Sequence, residues 1–208
     1  VPAIDHFVGH DEDLNKLWNQ LQPETLAIRK VVVLHGLGGI GKTQLAIRFA
    51  RLHQHDFSPI FWLNGKNQET LMRFLAAFLP KIPDVNMAAG PKIKEEIEQQ
   101  ARQVLQWLAT ARNSKWLLIF DNIDKYSATE DLDGETYDVT KFFPTADHGS
   151  IIITTRVPQL AEVGRPYPVQ KLHSDEAVEL LVNSTGLDAE STKTSSLYSG
   201  QSRNGPSM

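Results

Sequence analysis

Eight residues, Gly36-Leu37-Gly38-Gly39-Ile40-Gly41-Lys42-Thr43, fill every fixed position of the pattern G-x-x-x-x-G-K-[ST] at a point where a strand should give way to a helix. Lys30 to His35 before them is a β-branched run suited to a buried parallel strand. Gln44 to Ala50 after them places apolar residues at helical spacing. The residue types follow from the task of holding a polyphosphate. Gly36, Gly38, Gly39 and Gly41 allow a backbone that turns consecutive N–H groups inward, around Ile40, toward an anion. Lys42 offers a point charge for β and γ phosphates, Thr43 a hydroxyl for Mg²⁺, and the helix that begins here carries roughly half a positive charge at its N-terminus. A nucleoside triphosphate is the expected guest.

Other function classes are disfavoured by composition. The chain has 208 residues, of which 41% are hydrophobic and 22% charged, enough for one sizeable core. A net charge of -4 argues against a surface that coats nucleic acid. With no cysteine there are no disulfides or thiolate metal sites, and no apolar run reaches membrane-spanning length or resembles a signal peptide. A cytoplasmic protein with no membrane partner is the expectation. Because the chain opens with Val1, it reads as a segment of something longer.

Order along the chain predicts an α/β fold. Leu14, Leu17, Trp18 and Leu21 give a first helix, with Asp11, Glu12 and Asp13 in its opening turn and Pro23 beyond its end. Pro59 to Asn64 reads as a strand. Gln68 to Leu79 reads as an amphipathic helix with Leu71, Phe74, Leu75, Phe78 and Leu79 on its apolar face, stopped by Pro80. A connector containing Pro83, Gly90 and Pro91 leads to a long helix with Ile93, Ile97, Ala101, Val104, Leu105 and Leu108 inward. Lys115 to Asp121 and Ser150 to Arg156 are continuous apolar strands ending in a carboxylate and a guanidinium. Tyr167 to Leu172 is expected as a peripheral strand, because Pro168 cannot donate to a central ladder. Residues 1–183 form the expected domain, including a helix over Ser174 to Leu181, and residues 184–208 a polar, disordered tail.

Three side chains complete the expected constellation. Asp121 ends its strand at the sheet edge where ligands of doubly wound folds sit, and would hold Mg²⁺ together with Thr43. Asn122 stands where many ATPases carry a second acid; an amide cannot take a proton from water, which predicts slow or absent turnover unless Asp124 substitutes. Arg156 could distinguish triphosphate from diphosphate, or could be a surface arginine paired with a nearby acid. His35, His53 and His55 lack a third metal ligand at suitable spacing, and Asp131 to Gly134 fails the calcium-loop pattern. Trp18, Trp62, Trp107 and Trp116 are expected in the core.

Taken together, Phe7-Val8-Gly9-His10-Asp11-Glu12-Asp13-Leu14, Gly36 to Thr43, Trp116 to Asp124, and Gly149 to Arg156 followed by Ala161 resemble, in order, the opening, Walker A, Walker B and arginine motifs of NB-ARC ATPases. These are the switch domains of plant and fungal NOD-like receptors, members of the STAND class. The resemblance covers about residues 4–182. It implies a P-loop NTPase three-layer sandwich whose parallel sheet of about five strands is ordered 2-3-4-1-5. It also implies ADP at rest, ATP on activation, and nucleotide-dependent homo-oligomerisation. By the same likeness, Val8 and neighbouring backbone would touch adenine, and Gln44 would follow Thr43 along the α-phosphate.

His10 departs from the family's usual arginine, and Asn122 from its frequent aspartate. No Gly-Leu-Pro-Leu-like segment follows Leu181, so helical and winged-helix lids, an N-terminal effector and C-terminal repeats are expected to be missing, and nucleotide to exchange faster than in a complete receptor. Two rival readings are a catalytic ATPase or small-substrate kinase, and a scaffold that scarcely uses nucleotide. A GTPase is disfavoured by the lack of Asn-Lys-x-Asp, and Ser199-Gly200-Gln201 is only a fragment of an ABC signature.

Overall fold

A computed structural model describes residues 1–2, 9–23, 28–83, 94–128 and 135–171. Five parallel strands, β1 (Lys30–His35), β2 (Ile60–Asn64), β3 (Leu117–Asp121), β4 (Ser150–Thr155) and β5 (Arg165–Pro168), form one sheet in the order β2-β3-β4-β1-β5. The helices are α1 (Asp11–Leu21), α2 (Lys42–Leu52), α3 (Gln68–Ala76) and α4 (Lys94–Leu108). The order 2-3-4-1-5 is the one implied by the family resemblance.

Side-chain alternation along the strands separates two cores and so makes three layers. In β3, Leu117 and Ile119 face the α1/α2 side, while Leu118 and Phe120 face the α3/α4 side. β1 and β4 divide the same way, with Val32, Leu34 and Ile152 on the first side and Val33, Ile151 and Ile153 on the second. A strand covered on both faces needs no polar alternation, which is why β3 and β4 read as unbroken apolar runs. Parallel register then brings the strand ends together: Leu34 lies opposite Thr154, His35 opposite Thr155, and Asn64 opposite Asp121.

Several local expectations are corrected. α3 stops at Ala76 and the chain continues as a 3-10 turn over Leu79–Lys81, because Pro80 has no N–H to bond the Ala76 carbonyl and disfavours helical geometry at Leu79. Phe74 is 39% exposed, and Met72 takes the inward position beside Leu71 and Leu75. β5 pairs over Arg165–Pro168 rather than from Tyr167 onward, and is an edge strand as its prolines require. The tryptophans do pack in or against the cores as expected: Trp116 is fully buried, its indole donating to the Leu108 carbonyl at 2.9 Å, and Trp18, Trp62 and Trp107 are partly buried against the two core faces. Val8, Ile93, the helix expected at Ser174 to Leu181 and the tail from Ser184 lie outside the described residues.

Candidate nucleotide-binding site

The loop between β1 and α2 closes on itself through its lysine. Gly41, the N-cap of α2, has φ 105°, and Gly39 has φ 75°, both in the left-handed region that a side chain resists. Lys42 is 9% exposed, and its Nζ donates to the carbonyls of Gly36 at 2.8 Å and Leu37 at 2.7 Å. Burial lowers the Lys42 pKa; Asp124 and Asp121 oppose that shift, while Arg156 adds to it. The ammonium is therefore under the influence of two carboxylates and a guanidinium.

Thr43 and Asp121 meet across the mouth of the sheet. Thr43 Oγ1 donates to Asp121 Oδ1 at 2.8 Å, and the same oxygen accepts from Thr154 Oγ1 at 2.7 Å. Thr154 in turn accepts from the backbone N–H of Asn122 at 2.9 Å, while Thr155 Oγ1 donates to the Ile123 carbonyl at 2.6 Å. Asn122 takes φ 64°, a conformation that asparagine tolerates better than most residues, so the chain turns sharply just past Asp121. Sequence reading did not single out Thr154 and Thr155. Their signal was available: two hydroxyls, 2% and 1% exposed, end an otherwise apolar strand and must find partners there.

Arg156 pairs with Asp124. Its Nε and Nη2 both lie 2.6 Å from Asp124 Oδ2, and its backbone N–H donates to Asp124 Oδ1 at 2.8 Å. Its third nitrogen, Nη1, lies over the loop, 3.4 Å from where a Cβ on Gly38 would stand. Gly38 to Gln44, Asn122, Asp124, Thr154, Thr155 and Arg156 line a cleft of about 470 Å³. Lys42, Thr43, Ile40 and Gln44 thus share one cleft with Arg156, and Asp121 stands behind Thr43; Gly36 lies outside the lining, its α-carbon facing the Val169 carbonyl.

His10 reaches the same loop from the other side. Its Nδ1 is 2.5 Å from Asp13 Oδ2, the Tyr167 hydroxyl donates to Asp13 Oδ1, and its Nε2 lies 3.8 Å from the place of a Cβ on Gly41. Burial works to raise the Asp13 carboxyl, but hydrogen bonds from Tyr167 and His10 outweigh it and hold the group below its ordinary value. Burial and the same bond push the Tyr167 hydroxyl up.

The donor set fits a nucleotide carrying Mg²⁺ better than a bare ion. Thr43 and Asp121 offer two hard oxygens, and among the described residues no group of three His, Cys, Asp or Glu could hold a metal. Phosphate oxygens and water would supply the remaining ligands. His53 stacks on Trp18 at 4.0 Å and pairs with Asp56, a structural role.

The chain is similar to several known proteins. An NLR-like nucleotide-binding leucine-rich repeat protein of the fungus Hyaloscypha variabilis is 29% identical over 72% of this chain, which spans 16% of that protein. A probable disease resistance protein of Arabidopsis thaliana is 26% identical over 86% of the chain, which spans 19% of it. The chain therefore covers less than a fifth of these relatives. Among solved structures, the Aeropyrum pernix ORC1 protein in complex with DNA shares the fold, with a TM-score of 0.59 at 15% identity over 88% of this chain and 51% of that one. The NB-ARC domain family matches residues 10–190, and with the loop, the Thr43–Asp121 pair and the 2-3-4-1-5 sheet in place, the chain belongs to the NB-ARC family of nucleotide-binding signalling domains.

Proposed function

We propose that this domain is an ATP/ADP-binding switch within an intracellular innate-immunity or cell-death receptor, with slow or no hydrolysis. The observation that carries the reading is the 2.8 Å bond from Thr43 to Asp121, which brings the end of the phosphate loop and the end of β3 to one point. Bound Mg²⁺ supplies charge neutralisation for the phosphates at that point. Lys42 would turn its ammonium from the loop carbonyls to β and γ phosphates, Thr43 and Asp121 would hold the metal, and Gln44 would lie along the α-phosphate.

Slow turnover is favoured by what flanks Asp121. Asn122 lines the cleft with a side chain that cannot take a proton, and both Asp124 oxygens accept from Arg156, which speaks against either as a base for water. This disfavours the catalytic ATPase or kinase reading. Residues 1–183 would form the switch unit, and effector, repeat and further domains of a longer cytoplasmic receptor would be its partners; the chain spans less than a fifth of its relatives, one of which is named for leucine-rich repeats. Assembly into a nucleotide-dependent homo-oligomer belongs to the same proposal.

Calorimetry with ATP, ADP and GTP, each with and without Mg²⁺, tests the reading. Adenine nucleotides should bind, and Lys42→Ala should weaken them by about 2–5 kcal/mol, the scale for removing one partner of a buried charge pair. Equal affinity in the variant, or hydrolysis near the roughly 10 s⁻¹ of a median enzyme, contradicts it.

A further inference from the structure

We propose that Asp124 is a positioning residue for Arg156, and that it sets how strongly the site prefers a nucleoside triphosphate to a diphosphate. The inference rests on the nucleotide-binding reading above and names a determinant of selectivity within it.

A guanidinium has five N–H donors in a rigid fork. Asp124 Oδ2 engages Nε and Nη2 at 2.6 Å each, which uses one edge of that fork and leaves the two N–H groups of Nη1 on the side facing the loop. The other Asp124 oxygen accepts from the Arg156 backbone N–H at 2.8 Å, so the carboxylate is tied to the end of β4 as well as to the side chain it orients. Side-chain exposure points the same way: Arg156 is 60% exposed and Asp124 only 20%. The carboxylate is the held group and the arginine the one that needs holding. A long side chain at that exposure, left unpaired, would sample many rotamers, and its charge would be spread through solvent rather than aimed at the loop.

The alternative is that Asp124 competes with phosphate for Arg156. Geometry favours positioning, because a competitor would occupy the nitrogen that faces the ligand space, whereas Asp124 takes the opposite edge and leaves Nη1 over Gly38. An oriented donor needs no rearrangement when a terminal phosphate arrives, and preorganisation of this kind makes a dipole or charge effective. A diphosphate lacks the group that Nη1 would meet. Its affinity should be indifferent to Asp124.

The test uses the full chain with Mg²⁺, titrating ATP and ADP into the unmodified protein and into Asp124→Ala, Asp124→Asn, Arg156→Ala and the double variant Asp124→Ala/Arg156→Ala. The ATP-to-ADP affinity ratio should fall about tenfold in Asp124→Ala, the scale of coupling between contacting residues. It should fall to the Arg156→Ala level and no further in the double variant, while ADP affinity stays within about twofold. Asp124→Asn, which keeps shape and can still accept from the backbone, should fall between, and a thermal melt of each variant separates misfolding from lost orientation. A ratio that is unchanged or rises in Asp124→Asn overturns the proposal, as does an Asp124→Ala effect that persists without Arg156. Failure of the unmodified protein to bind either nucleotide overturns the nucleotide-binding reading itself; intact binding with an unmoved ratio overturns only the role given to Asp124.

Discussion

Thr43 and Asp121, 78 positions apart, share a hydrogen bond of 2.8 Å that ties the first turn of α2 to the last residue of β3. Their oxygens are two hard donors that meet where Thr43 lines the cleft. Thr43→Ala should leave Mg²⁺-free nucleotide affinity nearly intact and remove most of the gain from Mg²⁺. Calorimetry at matched ionic strength with and without the metal checks this, and an undiminished Mg²⁺ effect would count against the pair.

Thr154 should be a test of support behind that point. Thr154→Val removes the donor to Asp121 and the acceptor for the part-buried Asn122 N–H, two hydrogen bonds worth about 0.5–1.5 kcal/mol each. Urea unfolding should report the loss, and Mg²⁺-dependent affinity should drop with it. Thr154→Ser, which keeps the hydroxyl, should restore both.

Gly149 should tolerate no side chain. It has φ 80°, and an added Cβ would stand 2.2 Å from the Trp116 indole. Left-handed strain and overpacking each cost about 1–3 kcal/mol, so Gly149→Ala should lower unfolding free energy by roughly 2–6 kcal/mol. Trp116 fluorescence would shift as its ring is displaced.

Stability should fall at both pH extremes through the contact of α1 with β5. Asp13 is held below its ordinary value, so its contribution is complete above about pH 4 and lost as pH falls through the depressed value. Tyr167 is pushed up, so its contribution is complete below about pH 10 and lost as pH rises beyond. Tyr167→Phe should flatten both limbs of a melting-temperature profile, leaving the part of the alkaline limb due to Tyr137 and Tyr126, which are also raised. An unaltered profile would remove this contact from the account.

Much of the fold is legible along the chain because its determinants are local. β1 begins and ends where the β-branched run does, and α2 begins after glycines whose positive φ angles no other residue type adopts easily. Two-sided burial of β3 and β4 is written in their lack of polar alternation. The end of α3 is less legible, because periodicity continues into Leu79 although Pro80 stops the helix at Ala76.

By itself, the sequence determined where an anion-holding loop forms and which strands lie between layers, since backbone freedom at glycine and apolar runs are properties of neighbouring residues. Only the tertiary structure decided which hydroxyl supports Asp121, that Asp124 pairs with Arg156, and that His10, Asp13 and Tyr167 meet beside Gly41. Those pairings depend on the parallel register of β1, β3 and β4 and on the seating of α1 against β5. Register is a relation between distant segments, and no local pattern carries it.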